Sequence, residues 1–410
     1  MNATDLSPAS VDGVHLPRPF QIRRLGHFGI NVASVERAMD FYGRLLGFEI
    51  SDQLDFGPRL SAEARAEVGS TVGYFTRHGT DHHSFVLFPQ RAVHASNPHY
   101  RGHPRVNVNQ ITWQVGSLRE VVQGLGWFES QGAKIMRAGR DTPGSNWHFY
   151  PADPAGHINE LYYGIEQIGW SGHSKPTAVH DIRYTQPPQL PHRSEFEEVN
   201  QAIAKGVDLT GGYRRVSGPA ETHDVGGVLL PRPFKVVRIG PVRLFVDDMA
   251  HALHFYRDLM GLALTETTVV HGESCHFLRA NTEHHSLALY PESLRDKLGI
   301  PHTMSLAGFG LQLGSYAQLR RAIAFLEEQG CCRLDLPQAM SPGVGHHVWL
   351  QDPDGNAVQL YWEMEQIGWS GLPCPADQRR SWPSNPAQWP EVIDARTDSF
   401  MGEVFLGPIN

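Results

Sequence analysis

The alternation of apolar and polar side chains is clearest in residues 146–172, NWHFYPADPAGHINELYYGIEQIGWSG. It predicts two short strands joined by a turn at residues 153–156, because Pro154 and Gly156 stop either strand from continuing. In the second strand, residues 158–163, successive side chains point to opposite faces. Glu160 therefore places a carboxylate among aromatic and branched side chains. Because an unpaired buried carboxylate is costly, we expect Glu160 to meet a metal ion, an Arg or Lys side chain, or surface water.

The chain contains an internal duplication. The sequence LPRPFQIRRLG, which starts at Leu16, returns as LPRPFKVVRIG, and EQIGWSG occurs near the end of both copies. The repeat predicts two homologous units, residues 17–172 and 231–371. In the second copy Gln359 stands where Glu160 stands in the first, so the two copies differ in charge at this position.

Each unit divides again into two modules with the same order of elements. Periodicity in the first module predicts a strand, an amphipathic helix closed by Gly47, and further strands, at residues 26–32, 35–46, 71–76 and 83–89. The order repeats from Asn109, with a strand to residue 115, a helix over 118–131, a strand over 134–137 and the strand pair described above. We therefore predict an α+β fold of four β-α-β-β-β modules, paired within each unit so that curved sheets enclose a cleft.

Three segments lie outside the two units. Residues 1–16 show no periodicity and predict a loose arm. Residues 173–230 are rich in proline and carry one amphipathic helix near residues 195–205, which predicts a linker or a lid. Residues 372–410 form a tail with tryptophans and prolines, which we expect to pack across a surface or a neighbouring subunit.

Composition narrows the possible partners and compartment. The net charge of −8 argues against a nucleic-acid partner. No apolar run approaches membrane-spanning length, and residues 1–20 lack the apolar core of a signal peptide, so we expect no membrane partner and a cytoplasmic location. The four cysteines all lie in the second half of the chain and show neither a disulfide framework nor zinc spacing.

The segments LGHFGINVASVERAMDFYGRLLGFEI, DHHSFVLFP, NQITWQVGS and HFYPADPAGHINELYY together resemble the vicinal oxygen chelate superfamily. Within it they are most similar to the type I extradiol ring-cleaving dioxygenases, and the similarity extends over both units. The resemblance implies tandem vicinal-oxygen-chelate domains and a divalent metal, Fe²⁺ or alternatively Mn²⁺, in the cleft of one unit. It also implies a catechol-like aromatic vicinal diol and dioxygen as substrates.

By the same resemblance, the metal ligands fall on His27, Gln110 and Glu160. The family has a histidine where this chain has Gln110, and an amide oxygen is a harder donor that favours Mn²⁺ or Mg²⁺ relative to Fe²⁺. His27 could instead be a core histidine and Gln110 an ordinary strand residue. The corresponding positions of the second unit read Pro241, Gly308 and Gln359, so we expect the metal in the N-terminal unit alone.

The resemblance places an acid-base histidine on His83 and an active-site tyrosine on Tyr150. His83 could act as a general acid-base, but His285 stands at its place in the second unit, so a structural role is the alternative. Tyr150 could bind a substrate oxygen or belong to the core. His148 faces the same side as Tyr150 and could complete the coordination shell. A further family histidine falls near Asp141, where this chain has none.

Three functions remain open on the sequence alone. The first is an extradiol-type dioxygenase. The second is a glyoxalase-like isomerase, lyase or hydrolase with a redox-inert metal, which the amide at Gln110 favours. The third is a non-catalytic protein that binds an aromatic compound. Because proteins of duplicated modules often assemble, we also expect a homo-oligomer.

Overall fold

Two eight-stranded sheets, one in each unit, dominate the computed structural model. It describes residues 9–11, 13–141, 144, 147–169, 171–180, 184–214, 220–301, 304–368 and 370–393. Within these ranges no helix is long and apolar enough to span a membrane. The two sheets and their helices confirm the predicted α+β fold of tandem units.

The strands of the first half begin with a small hairpin and continue into the first sheet: β1 (Ala9–Val11), β2 (Val14–Leu16), β3 (Ile22–Val32), β4 (Glu49–Asp55), β5 (Val72–Arg77), β6 (Phe85–Pro89), β7 (Val108–Val115), β8 (Ile135–Arg140), β9 (Trp147–Pro151) and β10 (Asn159–Tyr163). The second half repeats the series: β11 (His223–Val225), β12 (Val228–Leu230), β13 (Val236–Val246), β14 (Ala263–Val270), β15 (Glu273–Arg279), β16 (Leu287–Pro291), β17 (Leu306–Leu313), β18 (Arg333–Leu334), β19 (His347–Gln351) and β20 (Ala357–Tyr361).

The order of the first sheet is β4-β5-β6-β3-β7-β10-β9-β8. Each module opens with a strand that pairs in parallel with its own last strand, β3 with β6 and β7 with β10, and the two opening strands pair antiparallel at the centre. The second sheet repeats this order with β14-β15-β16-β13-β17-β20-β19-β18. The two modules of a unit thus form one continuous sheet around a cleft.

The α-helices are α1 (Val35–Met39), α2 (Ala62–Val68), α3 (Gln90–Ser96), α4 (Pro98–Gly102), α5 (Leu118–Ser130), α6 (Glu195–Ala204), α7 (Met249–Leu253), α8 (Ser293–Lys297) and α9 (Tyr316–Glu328). Helices α1 and α7 continue as π-helical turns, Asp40–Leu45 and His254–Leu259. Short 3₁₀ helices lie at Gly57–Arg59, Thr177–His180, Gln338–Met340 and Pro386–Gln388.

Serine caps begin the helices α1 and α5 of the first unit. The Ser34 hydroxyl accepts a hydrogen bond from the Arg37 amide, and the Ser117 hydroxyl accepts one from the Glu120 amide. Such caps satisfy amides that have no partner inside the helix. Gly47 follows the first π turn with a φ of +93°, a left-handed conformation that glycine adopts without a Cβ penalty.

The two units share one hydrophobic core. The Phe28 and Phe309 rings, one from each central strand pair, lie 5.2 Å apart between centroids. Reciprocal hydrogen bonds join the units: the Tyr42 hydroxyl donates to Asp352 and the Tyr256 hydroxyl donates to Asp153. Asp352 and Asp153 lie in the turns between the last two strands of their units, so these two hydrogen bonds hold the units together.

The segments outside the units pack onto them. Arg140 on edge strand β8 makes a buried bidentate ion pair with Glu198 on α6, so the middle segment lies against the first unit. In the tail, Trp389 is buried and the Tyr316 hydroxyl donates to the Pro390 carbonyl, so the tail packs on the second unit. The prediction of a loose arm was wrong for residues 9–16, because the described residues in this range form the β1–β2 hairpin.

Candidate metal centre

A cavity of about 450 Å³ opens in the first unit between its central strands and the helices α3 and α4. All six predicted site residues line it: His27, His83, Gln110, His148, Tyr150 and Glu160. They come from β3, the β5–β6 connection, β7, β9 and β10. Aromatic side chains form much of the remaining wall, namely Phe56, Phe75, Phe88 and Tyr100.

A β-bulge in β3 aims His27 into this cavity. Leu25 pairs with Trp113 and Phe28 with Ile111, so two residues of β3, one of them His27, stand opposite the single residue Thr112. The Thr112 hydroxyl repairs the interrupted ladder, because it accepts a hydrogen bond from the His27 amide and donates one to the His27 carbonyl, both at 2.7 Å. Thr112 is fully buried.

His27 and Glu160 meet at the base of the cavity. His27 Nε2 lies 3.3 Å from Glu160 Oε2, and each side chain is 1 % exposed. Neither ring nitrogen of His27 has a hydrogen-bond partner within the described ranges. Burial raises the pKa of Glu160, but the neighbouring His27, His148 and Arg137 outweigh it and lower that pKa to about 2. The carboxylate is therefore ionised at neutral pH.

A divalent cation fits this pair. Two buried ligand atoms, one an imidazole nitrogen and one a carboxylate oxygen, are near enough to share one ion, which would also satisfy the imidazole nitrogen that makes no hydrogen bond. No group of three or more His, Cys, Asp or Glu side chains within the described part of the chain has the arrangement of a metal site. Gln110, half-buried on β7, lines the same cavity and offers an amide oxygen as a candidate third ligand.

His83 lies beside the pair. Its ring centroid is 4.2 Å from that of His27, and its Nδ1 lies 2.9 Å from Nδ1 of His82. Burial, with His27 and His82 as neighbours, lowers the pKa of His83 well below its usual range. His83 is therefore a neutral imidazole at neutral pH. The same pairing joins His284 to His285 in the second unit at 3.0 Å.

His148 and Tyr150 form the opposite side. His148 Nδ1 lies 3.5 Å from Glu160 Oε1, and its Nε2 lies 3.7 Å from Asp141 Oδ2. Burial lowers the pKa of His148 to about 4, so this ring is also neutral at neutral pH. The guanidinium of Arg137 lies 4.4 Å from the Tyr150 ring centroid and pairs with Asp141. Thus Arg137, which the sequence analysis did not identify, and Asp141, near which the family resemblance places a histidine, add charges to the cavity wall.

The second unit fills the corresponding position with its own side chain. Strand register equates Gly29 with Arg243 and Glu160 with Gln359. Arg243 is fully buried, donates to the Gln359 amide oxygen at 2.6 Å and lies 4.8 Å over the Trp349 ring. In the second unit, therefore, the Arg243 guanidinium and the neutral Gln359 amide occupy the space that corresponds to the cavity around Glu160 in the first unit.

Comparisons with known proteins agree with this architecture. The family model described as Glyoxalase/Bleomycin resistance protein/Dioxygenase superfamily matches residues 24–161 and 238–360. Metapyrocatechase 2 of Cupriavidus necator is 31% identical over 175 residues, which cover 41% of this chain and 46% of that protein. The match thus spans less than half the length of that relative.

Solved structures show the same fold over most of the chain. Homoprotocatechuate 2,3-dioxygenase from Arthrobacter globiformis aligns with a TM-score of 0.53 and 15% identity, over 94% of this chain and 92% of that one. The Mn(II)-bound glyoxalase from Novosphingobium aromaticivorans aligns with a TM-score of 0.52 and 16% identity, over 87% and 89%. Because the family model covers more than half of the chain and both of its units, the protein belongs to the Glyoxalase/Bleomycin resistance protein/Dioxygenase superfamily.

Proposed function

We propose that this protein is a metal-dependent extradiol-type dioxygenase that acts on a catechol-like aromatic vicinal diol in its N-terminal unit. The observation that carries the proposal is the approach of His27 Nε2 to within 3.3 Å of Glu160 Oε2 at the base of a cavity with aromatic walls. The local similarity to metapyrocatechase 2 supports the same chemistry.

His27 and Glu160 would hold the ion, Fe²⁺ or alternatively Mn²⁺, with an amide from β7 as third ligand. When bound, such an ion would act as a Lewis acid toward the substrate oxygens and would bring the substrate and dioxygen together. The buried carboxylate balances part of the charge of the ion. The Phe56 and Phe75 rings offer apolar surfaces against which an aromatic substrate can stack and exclude water.

His83 is the group we assign to proton transfer. Its neutral imidazole faces the cavity beside His27 and can take a proton from a substrate hydroxyl, then return it later. Tyr150 and His148, on the opposite wall, can donate hydrogen bonds that orient the substrate oxygens. The proposed assignments give five of the six predicted residues a role: two metal ligands at the base, one proton carrier, and two orienting groups. The sixth, Gln110, is a candidate for the third ligand.

Oxygen uptake tests this proposal. The protein, loaded with Fe²⁺ without air, is mixed with aerated buffer and a panel of catechols, and oxygen use and ring-opened product are followed together. We expect equal molar consumption of oxygen and catechol, abolished in Glu160→Gln and strongly reduced in His83→Ala. His285→Ala, at the equivalent position of the second unit, is the matched control and should keep its activity.

The second candidate is a glyoxalase-type isomerase, lyase or hydrolase with a redox-inert metal. It is favoured by the half-buried Gln110, because an amide oxygen is a donor that suits Mn²⁺ or Mg²⁺. Catalysis that depends on Mn²⁺ and proceeds without oxygen would establish this function instead. A protein that retains no metal when purified without chelator, and yet binds catechols, would be a binding protein.

A further inference from the structure

A second β-bulge brings an additional amide into the cavity. On β7, Gln110 pairs with Gly29 and Val108 pairs with Ile30, so Asn109 is an extra residue in the ladder. A bulge interrupts the alternation of a strand, and for this reason the consecutive residues Asn109 and Gln110 both line the cavity.

The Asn109 carboxamide is buried without a partner. The residue is 5 % exposed, and neither its Oδ1 nor its Nδ2 has a hydrogen-bond partner in the described part of the protein. Burying an amide without hydrogen bonds is unfavourable, so such a side chain calls for a ligand. Gln110, in contrast, is half-buried and open to solvent.

The position of this amide is informative because the second unit uses the same space differently. A Cβ at Gly29 would overlap the Asn109 carboxamide, so Asn109 lies where a side chain of residue 29 would begin. In the second unit the equivalent of Gly29 is Arg243, whose side chain leaves from that point and reaches Gln359, the equivalent of Glu160. Asn109 therefore stands on the path from β3 to the carboxylate.

The two units differ together at the positions of Gly29 and Asn109. Where the chain supplies its own cation, Arg243, the amide is absent, because the equivalent of Asn109 is Ala307. Where the chain has Gly29 and Asn109, it supplies no cation at that point, and the carboxylate of Glu160 replaces the neutral Gln359.

We propose that Asn109, and not Gln110, supplies the third protein ligand of the divalent ion, through its carboxamide oxygen. This inference rests on the proposed metal centre at His27 and Glu160. One imidazole, one carboxylate and one amide would hold the ion with two neutral donors and one anionic donor, and the substrates would supply the remaining donors. Gln110, whose position matches the family's ligand, is left on the cavity wall.

Mn²⁺ binding to the full-length protein tests the assignment, with free Mn²⁺ followed by electron paramagnetic resonance. The variants are Asn109→Ala, which copies the residue of the second unit, Asn109→Asp, and the neighbouring Gln110→Ala as matched control. We expect Asn109→Ala to weaken binding by at least about tenfold, the lower end of what the loss of a supporting group at a metal site costs. Gln110→Ala should stay within about twofold, and Asn109→Asp should bind at least as tightly as the wild type.

Two readouts separate the outcomes. Melting of the metal-free proteins should be unchanged in Asn109→Ala, because that variant removes an amide with no protein partner, whereas a structural role would lower its stability. Equal affinity of Asn109→Ala and wild type, or an equal or larger loss in Gln110→Ala, would overturn the inference. If the wild type binds no Mn²⁺, or Glu160→Gln binds it as tightly, the proposed metal centre itself fails.

Discussion

Thr112→Val is the sharpest test of how the strand bulge holds His27. Valine keeps the shape of threonine but removes the hydroxyl that serves both the amide and the carbonyl of His27, each at 2.7 Å. Both residues are buried, so water cannot replace the lost bonds at no cost. A buried backbone group left unsatisfied costs about 1–3 kcal/mol, and with two such groups we expect a loss of about 2–6 kcal/mol in the free energy of unfolding.

Urea denaturation of the metal-free protein measures this loss. Thr112→Ser keeps the hydroxyl and should lose only about 1 kcal/mol for the missing methyl group. Thr76→Val is a second control in the same sheet, because the Thr76 hydroxyl makes a single bond, to the Phe85 carbonyl, and about half of the effect is expected. A Thr112→Val protein within ~0.5 kcal/mol of Thr112→Ser would refute the role of the hydroxyl, since that difference is below a typical hydrogen-bond contribution.

Three further substitutions test other parts of the molecule. Arg140→Met removes the bidentate partner of the buried Glu198 and leaves Arg193 as its cationic neighbour at 3.4 Å. We therefore expect a loss of about 3 kcal/mol and faster proteolysis of the middle segment, measured by urea denaturation and limited digestion. Arg243→Met should destabilise the second unit, seen by circular dichroism during unfolding, without changing Mn²⁺ affinity in the first; weaker Mn²⁺ binding would contradict this. Tyr42→Phe removes the bond to Asp352 between the units and should cost about 1.5–3 kcal/mol in chemical unfolding, whereas no change would argue against a contribution from that bond.

Much of the fold could be predicted because its signals are local and repeated. The helix over 118–131 and the turn between β9 and β10 follow from periodicity and from proline and glycine, and the structure places α5 at Leu118–Ser130. Strand β4 was missed, because its sequence EISDQLD is polar and it lies at the exposed edge of the sheet. Helices α3 and α4 were not predicted, because each is too short to show a clear helical period.

The sequence likewise predicted only part of the candidate site. His27 and Glu160 stand in recognisable motifs, and all six predicted residues do line one cavity. Thr112 and Asn109 could not be found from the sequence, because a bulge changes which side chains share a face and only the strand register shows where it lies. Arg243 was missed for a related reason: its importance depends on the partner it reaches across the sheet, Gln359.

The most direct test of the central claim is a crystal structure of the Mn²⁺-loaded protein with anomalous diffraction recorded at the manganese absorption edge. We predict one strong peak per chain, within bonding distance of His27 Nε2 and Glu160 Oε2, and no peak beside Arg243 in the second unit. A peak elsewhere, or a cavity in which His27 and Glu160 bind no metal at saturating Mn²⁺, would contradict the account.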